Sequence, residues 1–340
     1  MATTVAPAPE TAAPPHSAEP QAHPVRSLIF HRSWVGLITL FIVSVIIFWA
    51  TEVLPGNAAY AVLGHSATPA RLHALEIQMH LNEGIFAQYW HWLSGLFTGN
   101  LGVSLANGSP VWGTVDQRLV NSAVLVFAAG TVGTVVGLTL GAYAALRKGK
   151  LFDTVFSIIA LAVTALPEFV IGIILVFLFS TNVWHIFPAI SFIAPGTYAW
   201  DDPKLLVLPV ATLVIVIVPY LFRMMRASMI EALESDYVEM ARLKGVPAWR
   251  IVLVHALPNA IAPAIQVIGL NYLYLAGGIV LVEYVFAYPG IGTGLVAAVE
   301  SRDVPTVQII VIVLAAFYIV VNILTDVVAL LATPRRRIPR

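Results

Sequence analysis

Six apolar runs, each long enough to cross a lipid bilayer, dictate what this chain can fold into. A spanning helix needs about 20 mostly apolar residues to cross ~30 Å of hydrocarbon. The runs lie near 33–51, 119–146, 154–180, 205–222, 256–282 and 304–325. No charge falls between Arg118 and Arg147, none between Asp303 and Asp326, and only Glu168 interrupts the third run. Hydrocarbon offers no partners for backbone N–H and C=O groups, so each run must satisfy its own as a helix. The expected fold is therefore an all-α integral membrane protein with six transmembrane helices. Composition agrees: charged residues are 11% of the chain, against about 25% in soluble domains.

The positive-inside bias orients the spans. If the N-terminus is cytoplasmic, only Arg71, Arg118, Lys204 and Arg302 lie outside, and the other fourteen of eighteen basic residues lie inside. Both termini are then cytoplasmic. Residues 1–27 are rich in Ala and Pro and are expected to form a disordered cytoplasmic tail. Residues 28–333 form the six-span domain and 334–340 a basic tail. An extracytoplasmic segment, 52–118, should carry a short helix capped by Thr68 with Pro69 at its first position and with Leu72, Leu75 and Met79 on one face. Tyr89, Trp90 and Trp92 suit a membrane interface.

Several chemistries are excluded. The chain has no cysteine, so it holds no disulfide, Cys-ligated zinc or thiol nucleophile. Net charge is zero, which gives no basic field for nucleic acid. The histidines make no HExxH pair, and no Gly-x-Ser-x-Gly is present. No phosphate-binding Gly-x-x-x-x-Gly-Lys-Ser/Thr loop occurs either. Any use of ATP must therefore happen on a partner.

The densest charge lies in a cytoplasmic loop, 223–255. Its stretch "SDYVEMARLKGVPAWRIVLVHALPNA" runs from Ser235 to Ala260. Ser235 suits an N-cap, Asp236 the positive end of a helix dipole, and Gly245 the left-handed residue after a helix end. Between them is a helix of about nine residues, with Tyr237, Met240, Ala241 and Lys244 on one face and Glu239 and Arg242 elsewhere. Such a helix is marginal in water. It is either a docking knob or a solvated interhelical loop.

Within the spans, polar side chains are costly and are candidates for function. Glu168, beside Pro167, either lines a path where it meets a peptide amino group or serves as a structural hydrogen-bonding group. Asn259, Gln266 and Asn271 of the fifth run lie roughly on one face and are either path-lining or interhelical glue. Glu283 and Asp326, at span ends where water is available, read as structural. Gly130, Gly133, Gly137 and Gly141 repeat at three and four, a small-residue stripe for close helix contact.

The charged stretch resembles the EAA signature of membrane subunits of bacterial binding-protein-dependent ABC importers. Glu239, Ala241, Gly245, Leu257 and Pro258 fall at matching positions, while Met240 and His255 depart. The variant "DYVEMARLKG…VLVHALPNAIAP" is similar to that of dipeptide/oligopeptide permeases. "LPGNAAYAVLG" (with Asn57 and Ala58 departing), "QYWHWLSGLFTGNLGVSL", "VEYVFAYPGIGTGLVAAV" and "NILTDVVALLATPRRR" extend the likeness from about residue 30 to 337.

The resemblance implies the type I ABC importer permease (MetI-like) architecture and a transport role without enzymatic activity. It implies a second homologous permease subunit, two cytoplasmic ATP-binding subunits that hold ATP and Mg, and an extracytoplasmic substrate-binding protein. The chain itself would hold no cofactor and no metal. Tyr237, Met240 and Ala241 would fill a groove on the ATPase, with Glu239, Arg242 and Lys244 as polar contacts and Gly245 as the turn. Di- or oligopeptides are the expected cargo, with a nickel chelate, glutathione or a sugar as alternatives. The implied location is the bacterial cytoplasmic membrane. An ion-driven secondary transporter and an intramembrane hydrolase are the rival classes; no internal duplication and no nucleophile–base pair supports either.

Overall fold

The computed structural model describes residues 24–52, 68–78, 82–194 and 196–332. The likeness in "LPGNAAYAVLG", the helix position at Met79, and both distal tails lie outside the described residues. Twelve α-helices follow in order among the described residues. They are α1 (Pro24–Glu52), α2 (Pro69–Gln78), α3 (Ile85–Thr98), α4 (Val111–Leu146), α5 (Leu151–Thr164), α6 (Glu168–Val176), α7 (Lys204–Leu233), α8 (Asp236–Leu243), α9 (Ala248–Arg250), α10 (Leu257–Val285), α11 (Ile291–Glu300) and α12 (Val304–Ala332). A π-helical turn extends α6 to Thr181, and another, Ile251–Ala256, joins α9 to α10.

Helices α1, α4, α7, α9–α10 and α12 are each long and apolar enough to cross a membrane, and the α5–α6 pair makes a sixth candidate. The protein is a multi-pass membrane protein. The helices run past the apolar stretches. Pro24–Ser27, expected with the disordered tail, already belong to α1, and α4 begins at Val111 rather than near 119. Helix α7 continues to Leu233, so the first eleven residues expected in the charged loop are helix. Residues 248–256 are continuous with the fifth span, which leaves 234–247 as the segment outside it.

The third span departs most from expectation. It is broken after Thr164, and α6 leaves at 105° to α5. The reason is local. Proline disfavours helical geometry in the preceding residue and has no N–H to continue the ladder. Pro167 is itself extended and serves as the N-cap position of α6.

The core is built on α4 against α7, the most extensively packed helix pair. The predicted glycine stripe makes this approach. A Cβ on Gly133 would stand 2.4 Å from the Ile217 side chain, and one on Gly141 2.6 Å from the Phe222 carbonyl oxygen. Leu125 and Ala129 of α4, Leu213 and Ile217 of α7, and Leu275 and Ile279 of α10 form one buried cluster. Helix α1 lies at the periphery and packs mainly on α12, where Arg32 Nε meets Asp326 Oδ2 at 2.8 Å. Tyr89 and Trp92 do not both face lipid: they pack with Phe48 of α1, and Trp90 is the exposed one. Thr68 caps α2 as expected, accepting from the Arg71 N–H at 3.4 Å.

At the end remote from the charged loop, Glu283 is fully buried rather than hydrated. Its Oε1 accepts from the Ser122 hydroxyl at 2.5 Å and its Oε2 from the Thr293 N–H at 2.9 Å. The carboxylate thus caps α11 and ties it to α4. Ser122 Oγ also accepts from the Ile291 N–H, Asn121 donates to the Pro289 carbonyl, and the Tyr288 hydroxyl donates to the Asn121 carbonyl. Gly290 is required, because a Cβ there would lie 1.9 Å from Glu283 Oε1.

Two outcomes follow from this packing. Gly141→Ala should cost about 1–3 kcal/mol by overpacking, read as a lower aggregation temperature of the detergent-solubilised subunit, while Gly277→Ala, where a Cβ meets nothing within 4 Å, should leave it unchanged. Glu283→Ala should cost about 1–3 kcal/mol for each polar partner left buried and unpaired in the same measurement; an unchanged transition temperature would remove the clamp from the account.

Candidate functional site

The charged loop folds as a short helix held against the bundle. Ser235 has the extended geometry of an N-cap, and its carbonyl accepts from Val238 and Glu239 N–H groups. Its hydroxyl, however, donates backward to the Ala232 carbonyl at 2.5 Å instead of capping α8. The C-terminal end follows the prediction closely. Gly245 takes φ +73°, its N–H donates to Arg242 O at 2.9 Å, and the Val246 N–H donates to Ala241 O at 3.1 Å. These two bonds are the Schellman motif. Pro247 then starts the turn into α9.

The face reading needs one correction. Ala241 does not point to a partner: it is buried with Val238 and Ile251, and Val246 packs on them. Val238, fully buried, is the anchor that the EAA comparison passes over. Its signal was the i, i+3 pair Val238 and Ala241 followed by apolar Val246 and Ile251. Outward go Tyr237, Glu239, Met240, Arg242, Lys244 and Gly245. Leu243 joins them and is 76% exposed, the most exposed apolar residue of α8. One polar tie reaches back, with Arg242 Nη2 donating to Leu233 O at 3.4 Å, the last carbonyl of α7.

Neighbouring ion pairs brace the same end. Asp153, nearly fully buried, pairs through both oxygens with Arg226 and also accepts from the Gly149 N–H at 2.9 Å. Lys148 pairs with Glu234. Asp153 and Arg226 lie in different spans, 73 residues apart, so nothing local in the sequence announces them. The pairing nonetheless fixes the α4–α5 turn to the root of the charged loop. Desolvation is offset here by two charge-assisted bonds.

The polar residues of the fifth span divide. Asn259 and Gln266 lie on the exposed side of α10, with Tyr274 and Gly277 further along the same stripe. Asn271 is buried on the other side and donates to the Val267 carbonyl at 2.8 Å. Asn259 likewise donates to the His255 carbonyl at 2.7 Å. The three residues therefore do not make one site. Glu168 does approach this helix: its Oε2 accepts from the Tyr274 hydroxyl at 2.5 Å, at the break between α5 and α6. Among the described residues no group of three or more His, Asp or Glu side chains is placed to hold a metal.

The comparisons with known proteins agree with this architecture. Residues 137–338 match the family of binding-protein-dependent transport system inner membrane components, and residues 25–126 match the N-terminal part of such membrane components. The chain belongs to that family. It is a transport subunit of an ABC importer, not an enzyme. It is 32% identical over 310 residues to a protein of Sinorhizobium fredii named as a peptide ABC transporter permease, covering 91% of this chain and 98% of the relative. It is also 32% identical over 304 residues to the glutathione transport system permease protein GsiC of Escherichia coli, covering 89% and 96%.

The anchoring of α8 has a direct test. Val238→Asp would bury an unpaired charge and should free the helix from Ile251. Limited trypsin digestion should then cut at Arg242 and Lys244 several-fold faster than in the parent protein, and equal rates would show that the helix is held by something else.

Proposed function

We propose that this permease carries di- or oligopeptides across the bacterial cytoplasmic membrane, with both termini and the charged loop on the cytoplasmic side. The observation that carries the coupling part is the form of α8. A short, capped helix stands outside the apolar bundle and presents Tyr237, Met240 and Leu243 among Glu239, Arg242 and Lys244. Exposed apolar side chains ringed by charge fit a partner's groove better than open water. The partner is one of two ATP-binding subunits, which hold ATP and Mg. A second homologous permease subunit completes the path and an extracytoplasmic binding protein delivers the cargo.

The helix transmits motion because it is fixed at two points. Arg242 ties it to the end of α7, and Val238 with Ala241 fastens it to Ile251 at the root of α10. A shift of α8 on the ATPase therefore moves α7 and α10 together, and α10 carries Asn259, Gln266 and Tyr274. These exposed polar groups, with Glu168, line the path on the side that meets the second subunit. Polar side chains at that depth are costly against lipid and are acceptable against water or a partner. Peptide cargo is favoured by the Sinorhizobium relative's name; the Escherichia relative's name makes glutathione the second reading.

Gly245→Asp tests the coupling. A side chain in the left-handed region costs up to about 1–2 kcal/mol and the new carboxylate stands at the exposed end of α8, so docking is weakened while the spans still insert. ATP-dependent peptide uptake into proteoliposomes holding the whole complex should fall at least tenfold, with equal permease in the membrane. Undiminished uptake would sink the coupling role. Uptake of glutathione but of no ordinary peptide would move the cargo to the second reading.

A further inference from the structure

Glu168 differs in its partners from the buried acidic residues Asp153 and Glu283 and from Asp326. Asp153 meets Arg226, Asp326 meets Arg32, and Glu283 is enclosed by hydroxyl and backbone donors. Among the described residues, no Lys, Arg or His lies in ion-pair range of Glu168. Among the described residues its one side-chain hydrogen-bond donor is Tyr274, seventeen residues into α10 and so well inside the span. Its position at the start of α6 supplies the partial positive charge of a helix end, and this alone is weaker than a full counter-charge. Half-buried carboxylates within a membrane are normally paired.

The surroundings are shaped for a visitor. Gly278 lets the carboxylate approach α10, since a Cβ there would lie 3.2 Å from Glu168 Oε1. Beside it, Gly277 faces open space. Tyr274 and Tyr220 are both exposed, and Tyr220 on α7 is near enough to Tyr274 to act on it electrostatically. Gln266 lies two turns along the same stripe. One carboxylate and two phenols are a thin set for a divalent ion. They suit an alkylammonium: it offers three N–H donors to carboxylate and phenol oxygens and is attracted to tyrosine faces.

We infer that Glu168, with Tyr274 and Tyr220, receives the protonated amino terminus of a peptide in transit. The inference rests on the peptide reading above. The carboxylate supplies the charge, the phenols orient it, and the break at Pro167 sets Glu168 at the bend of the third span, against Tyr274 of α10. The contact is transient, and its role is to replace water around the ammonium where the membrane would otherwise penalise the charge. A peptide α-amino group, with a pKa near 8, is mostly cationic at neutral pH and meets this requirement.

The test uses the complete transporter with its ATPases and binding protein in nanodiscs and proteoliposomes. Two alanine tripeptides carry a diazirine, one on the first residue with its amine free, the other on the last. Trapped with a non-hydrolysable ATP analogue and irradiated, the first should label the neighbourhood of Tyr220, Tyr274 and Gly277, and the second should not. Glu168→Gln keeps an acceptor for the Tyr274 hydroxyl and keeps the helix start, so it removes charge alone. It should lower that labelling at least fivefold and slow uptake of a free-amine tripeptide, with assembly intact. Tyr274→Phe should have a smaller effect in the same direction. Equal labelling by both probes, or labelling and uptake unchanged in Glu168→Gln, overturns the inference while the importer reading stands. Loss of the second permease subunit from Glu168→Gln on purification overturns it too, by assigning the carboxylate to a basic group of that subunit. Absence of peptide uptake by the unmodified transporter removes the peptide reading, and the ammonium site with it.

Discussion

The approach of α4 to α7 is the constraint on which the rest depends. In a bilayer, helix association gains little from the hydrophobic effect, because lipid tails are as apolar as leucine. Contact must come from close packing, and Gly133, Gly137 and Gly141 bring the two backbones near enough to provide it, while Gly130 admits Tyr272 of α10. With α4 and α7 joined, α10 fills the groove beside them and completes the buried cluster. The ion pairs at one end and the Glu283 clamp at the other then fix the ends of helices whose middles are already set. The Asp153 and Glu283 carboxylates are each held by hydrogen bonds through both oxygens, which is what allows charge to sit in so apolar a protein.

The broken third span reverses this logic. A 105° bend leaves backbone groups outside any helical ladder, which hydrocarbon does not tolerate unless protein or a water-filled cavity covers them. The break is therefore an indication of where lipid is absent. It coincides with the exposed polar stripe of α10 and with Glu168, a half-buried carboxylate that has no cationic partner among the described residues. Three independent features, a backbone break, an unpaired charge and exposed phenols, mark the same depth on the same side.

Much of this was legible in the sequence because its causes are local. Span number, the Gly245 turn, the Thr68 cap and the glycine stripe each follow from residue type at a fixed spacing. The bend was harder: Pro167 and Glu168 stood in plain view, but an apolar run reads as continuous whichever way its axis turns. The inward face of α8 was misjudged because Ala241 is small enough to suit either side, and the deciding neighbour, Ile251, lies ten residues away. Asp153–Arg226 and Ser122–Glu283 were beyond reach, since residues 73 and 161 positions apart leave no periodic trace.

The burial of Ala241 also changes how the charged loop does its work. A helix that presented its whole small-residue face to an ATPase would be a loose plug, able to rock without moving the spans. With Val238 and Ala241 committed inward and Val246 folded onto them by the Gly245 turn, the inner face of the helix is fastened to the bundle and cannot rock by itself. Only its outer side chains are free to engage a groove. The π-helical turn Ile251–Ala256 begins at this anchor, and such turns are local interruptions of the α-helical ladder that are frequent at functional sites. Displacement of α8 is therefore expected to be absorbed or passed on at that turn, at the root of the helix that bears Gln266 and Tyr274. In the function proposed above, α8 and the polar stripe of α10 are two ends of one lever, and its stiffness is set where Val238 meets Ile251.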